Sequence, residues 1–306
     1  MRAIILPLLT VFLAGCDDFD LGNIGGSDRY REDFHFSYPL STGGSLRLEN
    51  FNGSVEISGW DKNTVDIDGT KYANTEYRLK EVKIDIVPSA NSITIRTLPP
   101  LDHRGNAGAR YTIHVPKRIE LSSIASSNGP IRVESIEGLS HLRTSNGGVH
   151  VTGLVGSLEV QTSNGTIEVS DVTGDTTLHS SNGTIRAEDV RKGRFGATTS
   201  NGSINVRLKD ADSSPVRLET SNGHIDLTMD AVREVKATSS NSSITVHLPA
   251  SAGATLDAHT SNSSITCDFD VSTHQFSKHR LEGTIGKGGP LLDLGTSNGS
   301  IKLLRM

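Results

Sequence analysis

Thr162-Ser163-Asn164-Gly165-Thr166-Ile167-Glu168-Val169-Ser170-Asp171-Val172-Thr173-Gly174 holds one unit of a pattern that runs through most of the chain. Ile167 and Val169 are separated by one polar residue, the period of two that marks a half-buried strand. Val172, Gly174 and Leu178 follow before Ser180-Ser181-Asn182 opens the next unit. The same slots are filled by Ile131, Val133, Ile136, Gly138 and Leu142 in one neighbour, and by Ile185, Ala187 and Val190 in another. No comparable run shows the i, i+3, i+4, i+7 spacing of an amphipathic helix.

Working outward, Asn followed by Gly or Ser recurs at Asn128, Asn146, Asn164, Asn182, Asn201, Asn222, Asn241, Asn262 and Asn298, with a divergent copy at Asn52. Successive intervals are 18, 18, 18, 19, 21, 19, 21 and 36 residues, so the period is 18 with small insertions, and the last interval reads as two periods. An 18-residue unit of two or three short strands cannot close a core alone, but stacked on its neighbours it can. The expected fold is therefore all-β, a parallel β-solenoid (β-helix) of about ten coils, on the order of 50 Å long at the inter-strand spacing of a sheet.

Stacking gives each slot a role. Asn before Gly suits a left-handed turn, and identical Asn side chains one coil apart can form an amide ladder. Counting back in twos places Thr144, Thr162, Ser180, Thr199 and Thr220 inward, as a second stack of hydroxyls. Between the inward apolar slots lie Arg132, His150, Glu168, Arg186, Asn205, Asp226, Thr245, Thr266 and Lys302, an outward column of mixed sign. Arg132, His150, Glu168 and Arg186 are its candidate binding face. Cys267 falls in an inward slot and is expected to be a buried thiol acting as a small hydrophobe.

Residues 34–120 carry the pattern with longer excursions, at Asn52-Gly53-Ser54-Val55 and Asn91-Ser92-Ile93, and read as irregular capping coils before regular repeats over 121–306. Phe34, Phe36, Tyr38, Trp60, Tyr72 and Tyr77 would cover the first coil, with a sugar-binding surface as the other use for them. His103 to Ala109 reads as a surface loop. Gly283 to Pro290 reads as a turn, since no strand and helix flank it in the order a phosphate loop needs.

Residues 1–16 have the order of a secretory signal: one cation, an apolar run from Ala3 to Leu13, then Leu13-Ala14-Gly15-Cys16. That ending resembles the bacterial lipobox, which makes Cys16 the expected lipidation site, and the acidic, Gly-rich stretch 17–33 a tether to a membrane. Localisation follows as the cell envelope. Asp17 and Asp18 resemble a retention signal that favours the periplasmic face of the inner membrane over the outer membrane.

The Thr/Ser-Ser-Asn-Gly-x-Ile-x-Val units, Leu248-Pro249-Ala250 leading into Gly253-Ala254, and Glu282-Gly283-Thr284-Ile285-Gly286 before Leu294 to Ile301 together resemble the bacterial DUF4097 proteins, a lipoprotein-type group of "putative adhesin" β-strand repeats. The resemblance covers roughly residues 45 to 303 and implies a non-catalytic scaffold with no catalytic residues to carry over. Asn241-Ser242 and Asn262-Ser263 depart from Asn-Gly, which bears on the tightness of two turns.

A net charge of -5 with no dense basic patch argues against nucleic acid as a partner. Cys16 and Cys267 are the only two cysteines, so acylation of the first leaves no intrachain disulfide. The leading expectation is a lipid-anchored envelope protein, neither enzyme nor cofactor binder, presenting an extended β surface to a glycan or an envelope protein. The alternative is a β-helix polysaccharide lyase or hydrolase, for which Asp171, Asp175, Glu188 and Asp189 are the scattered carboxylates. Ice or calcium binding on the Thr column is disfavoured, because that column points inward.

Overall fold

Period-two alternation followed by a corner glycine should give two strands per unit, and the computed structural model of the chain, which describes residues 28–101, 106–210 and 212–306, has two. In the unit quoted above they are Ile167–Thr173 and Thr176–Ser180. Each coil gives one strand to each of two sheets, of 13 and 14 strands. Setting aside the antiparallel strands at the ends (Tyr30–Pro39 and Thr64–Ala73 in one sheet; Lys83–Pro88, Val271–Ser277 and Arg280–Ile285 in the other), eleven parallel rungs remain in each sheet. The fold is the expected β-solenoid.

Registers run in step. Val149, Ile167, Ile185, Ile204, Ile225 and Ile244 form one inward column. Leu142, Val160, Leu178, Ala197, Leu218 and Ala237 form the column facing it from the other sheet. All are buried in one continuous apolar cluster. Each fully buried Val, Leu or Ile contributes about 1.5–3 kcal/mol. The longer 21-residue interval from Asn201 to Asn222 is taken up at the corner after Ile204–Lys209, so the strands themselves keep register.

Rung order departs from chain order at both ends. Leu291–Thr296 and Ile301–Arg305 do not lie beyond the earlier repeats. They are intercalated between the coil of Val235–Ser239 and Ile244–Leu248 and the coil of Ala254–Thr260 and Ile265–Cys267. The 36-residue interval is filled by an antiparallel hairpin, Val271–Ser277 with Arg280–Ile285, laid against Ala254–Thr260 before the chain returns into the slot. The slot accepts this rung because it carries Gly299: a Cβ there would fall 2.0 Å from the Ser242 carbonyl oxygen. Likewise Ser45–Asn50 and Val55–Trp60 lie between a coil of Ser92–Leu98 and Ala107–Pro116 and one of Glu120–Ser126 and Ile131–Glu137.

Tyr30–Pro39 pairs antiparallel with Thr64–Ala73 along its whole length, so strand structure begins inside the stretch read as a tether over 17–33. Residues 1–27, with the signal reading and Cys16, lie outside the described residues, as do 103–105 of the loop read over His103 to Ala109, whereas Ala107 to Ala109 of that loop open the strand Ala107–Pro116 with both alanines buried. Antiparallel strands cover parallel edges that would otherwise invite further pairing. Phe34, Phe36 and Tyr38 pack on the core, and Tyr72 is buried. Tyr77 is exposed on the single-turn helix Glu76–Glu81. The Trp60 ring is already engaged by a stacked His114 at 5.1 Å and by the Lys62 ammonium at 4.2 Å.

The Asn corner differs from expectation in three ways. First, none of the corner asparagines is left-handed, and of the glycines that follow them only Gly53, at the divergent corner, has a positive φ, 115°. Left-handed residues instead stack inside the strands of the first sheet, at Ser135, Gly153, Asp171 and Asp189, with φ of 58°, 66°, 52° and 56°, and Lys192 and Asp210 are left-handed just after their strands. Glycine follows Asn because the coils touch there: a Cβ on Gly165 would fall 1.7 Å from the Gly147 carbonyl oxygen, and one on Gly183 1.7 Å from that of Gly165. Second, the amide ladder is continuous but exposed. Asn164 Nδ2 donates to Asn146 Oδ1 at 2.8 Å, and so on up to Asn241, where Asn298 and then Asn262 complete it at 2.9 and 2.7 Å.

Third, the buried hydroxyls do not bond one another. Rungs about 4.8 Å apart exceed the reach of a hydroxyl pair at about 2.8 Å. Instead Thr162 Oγ1 donates to the Gly147 carbonyl at 3.1 Å and accepts from the Gly165 N–H at 3.2 Å, stapling its own turn to the coil before it. Ser180 and Thr220 repeat both bonds. The donated bond lengthens to 3.4 Å at Ser239, below the Asn241-Ser242 turn.

Thr162→Val keeps shape and raises strand propensity, yet leaves a buried N–H and a buried carbonyl unpaired at about 1–3 kcal/mol each. A lower midpoint in urea unfolding is the expected result, with a larger loss for Gly165→Ala. A Thr162→Val protein as stable as the parent would rule out the staple.

Candidate binding surface

Outward positions on the first sheet share the register of the core, so the predicted column is real and aligned. Arg132, His150, Glu168, Arg186, Asn205 and Asp226 occupy successive rungs. Thr245, Lys302 and Thr266 continue it, in that spatial order. Glu168 binds both neighbours: Oε2 lies 3.0 Å from His150 Nδ1 and Oε1 3.0 Å from Arg186 Nη1. The three form one mutually neutralised, half-exposed strip. Arg132 sits one rung below His150 on the same face but outside that chain of contacts. Further along, Asp226 Oδ2 lies 3.7 Å from His224 Nε2 and 3.5 Å from His247 Nε2. Such exposed pairs define a surface chemistry more than they stabilise.

The second sheet offers its own outward column: His141, Glu159, Thr177, Gly196, Arg217 and Lys236 on adjacent rungs. His141 Nδ1 contacts Glu159 Oε2 at 3.0 Å, and Lys236 Nζ contacts Asp293 Oδ2 at 2.6 Å.

With a two-sheet solenoid and an uninterrupted Asn ladder in place, comparison with known proteins decides the family. The Toastrack DUF4097 family matches residues 44–304. The chain belongs to it. No curated protein matches. Among solved structures, a "putative adhesin" from Bacteroides fragilis NCTC 9343 is similar at 13% identity, covering 89% of this chain and 97% of that one, with a TM-score of 0.40. A "putative adhesin" from Parabacteroides distasonis ATCC 8503 is similar at 10% identity, 89% and 97% coverage and a TM-score of 0.42. A "putative lipid binding protein" from that same organism stands at 11%, 89% and 96%, and 0.36. At these values none of the three carries an argument about ligand or chemistry.

In this Toastrack chain the carboxylates weighed for glycan cleavage do not converge. Asp171 is paired with Arg191 at 2.5 Å, Asp175 with Arg194 at 2.9 Å and Asp189 with Lys209 at 2.6 Å. A glycosidase acid needs a raised pKa, whereas the shifts at Asp175 and Asp189 go down. The Arg194 backbone N–H and guanidinium hold Asp175 low, and the hydrogen bond from Lys209 holds Asp189 low. Among the described residues no group of three or more His, Cys, Asp or Glu is arranged to hold a metal ion. Cys267 occupies its inward slot beside Leu303 but is only half-buried, because its rung is the last of its sheet. Burial still pushes its thiol up, away from the nucleophilic thiolate.

Two features escaped the sequence reading. Gly196 lies outward in Phe195–Thr199, where alternation puts Phe195, Ala197 and Thr199 inside, and that alternation could have flagged it. Arg233 is buried, its side chain only 1% exposed, and donates to the carbonyls of Gly193, Lys209 and Asp210 at 3.2–3.3 Å. Nothing in local sequence marks an arginine that fills a corner between coils.

Because Asp175 and Asp189 titrate lower in the fold than in the unfolded chain, the stability they lend is present above the ordinary Asp pKa of about 3.9 and is lost as pH falls through their lower folded values. Melting temperature should therefore drop on acidification below about pH 4, and Asp189→Asn should flatten part of that drop. Superimposable acid profiles for the two proteins would refute the assignment.

Proposed function

We propose that this Toastrack chain is a non-catalytic, adhesin-like protein of the cell envelope, held on a membrane through an acylated Cys16 at the periplasmic face, and that its rigid solenoid presents flat β surfaces to a glycan or envelope-protein partner. The observation that carries the reading is the alignment of outward side chains over consecutive rungs on a body whose strands are locked at both ends. Repetition at the spacing of a sheet suits recognition of an extended partner, whereas catalysis needs groups that converge, and here each carboxylate with a shifted titration is bound to a cation. The lipobox-like Leu13-Ala14-Gly15-Cys16 supports the anchor, since several acyl chains at about 0.8 kcal/mol per buried methylene would retain the protein on a bilayer.

Two measurements test the parts separately. Cys16→Ala should move the protein from the membrane fraction to the soluble fraction, and a variant that stays membrane-bound would remove the anchor from the account. In-cell photocrosslinking from the Glu134 position, exposed on the same face as Arg132, should give discrete adducts that disappear when Arg132→Glu, Glu168→Arg and Arg186→Glu are combined, a set that keeps the Glu–Arg pairing but inverts the pattern. Adducts that survive the inversion would show that this column is not the contact face.

A further inference from the structure

Glycine inside a strand costs conformational entropy and gives the sheet no side chain to pack, so it needs a local reason. At the Asn corners the reason is contact between coils, where an added Cβ would overlap the preceding carbonyl. Gly196 has none of these reasons. It lies in the middle of Phe195–Thr199, its φ is not left-handed, and a Cβ built on it would have nothing within 4 Å. Its neighbours in the column, Thr177 below and Arg217 above, both carry side chains. The missing side chain leaves a concavity of about 540 Å3 on this face. That lies within the range of roughly 300–1,000 Å3 found for small-ligand sites.

The walls are built and held. Arg194 is locked to Asp175 through its backbone N–H at 2.9 Å and through Nε and Nη2 at 3.2 and 2.9 Å. Pro215 and Glu234 follow Arg194 on the next two rungs at the same bend, in corners tied down by the buried Arg233, whose guanidinium spans the carbonyls of Gly193, Lys209 and Asp210. Rigid walls around an empty floor reduce the ordering cost of binding.

We infer that the notch over Gly196 is a subsite for a neutral carbohydrate, with a sugar ring lying on the bare backbone of Gly196 between Thr177 and Arg217. This subsite presupposes the non-catalytic binding role proposed above. The lining matches hydroxyl chemistry: guanidinium and ammonium groups supply several donors each, and carboxylates supply acceptors. Arg194 and Lys236 are already neutralised by Asp175 and Asp293, which leaves donors for hydroxyls but little charge for a polyanion. Pro215 and the aliphatic stems of Arg217 and Lys236 offer apolar contact to the C–H face of a ring. A peptide strand finds no free backbone edge, because Phe195–Thr199 is paired on both sides, and Phe195 turns inward, so no apolar pocket receives a side chain.

The test is Gly196→Thr in the full chain, purified in mild detergent and compared with the parent on an array of neutral and acidic oligosaccharides. Threonine repeats the residue one rung below, enters open space and has higher strand propensity, so melting temperature should hold or rise. Retention on neutral oligosaccharides should fall by about tenfold or more, the free-energy scale of one lost set of polar contacts. Glu234→Ala, an exposed position, should weaken the same retention without touching the fold, which guards against a folding defect in the first variant. Equal retention by parent and Gly196→Thr, retention of acidic glycans alone, or no retention at all would each overturn the subsite. If photocrosslinks at the Arg132 face persist in any of those cases, the subsite fails and the binding role stands; if they vanish too, both fail.

Discussion

Contact between the backbones of successive coils at the Asn corner is the constraint on which the rest of this structure depends. Gly147, Gly165, Gly183, Gly202 and Gly223 each sit so close over the preceding carbonyl that no side chain would fit as the coils are built. That approach lets a Thr or Ser hydroxyl reach the carbonyl below and its own turn above, and lets exposed asparagines link amide to amide. Hydrophobic columns supply most of the stabilisation, but they are nearly interchangeable from rung to rung, Ile over Ile and Val over Val. The corner contact is what gives each coil a particular height and register on the next.

The same constraint explains how a chain can be laid out of order. Stacked coils are alike in their inward slots, so a rung inserts wherever its corner fits the neighbours, and Gly299 fits over Ser242 with Thr296 donating to the Ser242 carbonyl at 3.0 Å. The hairpin of Val271–Ser277 and Arg280–Ile285 carries the chain out and back, and the antiparallel pairing that does so also covers the strand edge of that sheet. At the other end Thr64–Ala73 plays the corresponding part. The finished body is a two-sheet solenoid in which antiparallel strands cover three of the four sheet ends and Ile265–Cys267 stands at the fourth, leaving its faces for display.

Much of this was legible in residues alone. The Ile167–Val169 alternation gives the strands, the spacing of Asn128 to Asn262 gives the stack and its ladder, and inward and outward slots follow by counting. Rung order was not legible, because the chain gives the period but not which coil meets which carbonyl. Asp171 and Asp189 look like ordinary loop acids, yet their left-handed conformations fall inside the strands Ile167–Thr173 and Ile185–Arg191. Arg233 reads as a surface cation until three corners close over it. Gly196 is visible as an outward glycine, but only the empty space above it distinguishes it from the glycines the coils require. Of the candidate strip, the Glu168 contacts to His150 and Arg186 follow from register, whereas the open notch on the opposite sheet does not.

The most direct measurement of register-locked, intercalated stacking is disulfide formation between paired cysteines in a Cys267→Ala background. Thr245 and Lys302 are partners on adjacent rungs, and Lys302 separates Thr245 from Thr266. Adjacent rungs bring Cα atoms within the roughly 4.4–6.8 Å that a disulfide spans, while two rungs exceed it. Thr245→Cys with Lys302→Cys should therefore oxidise readily, and Thr245→Cys with Thr266→Cys should remain reduced. The opposite outcome would place the coils in chain order and contradict the account.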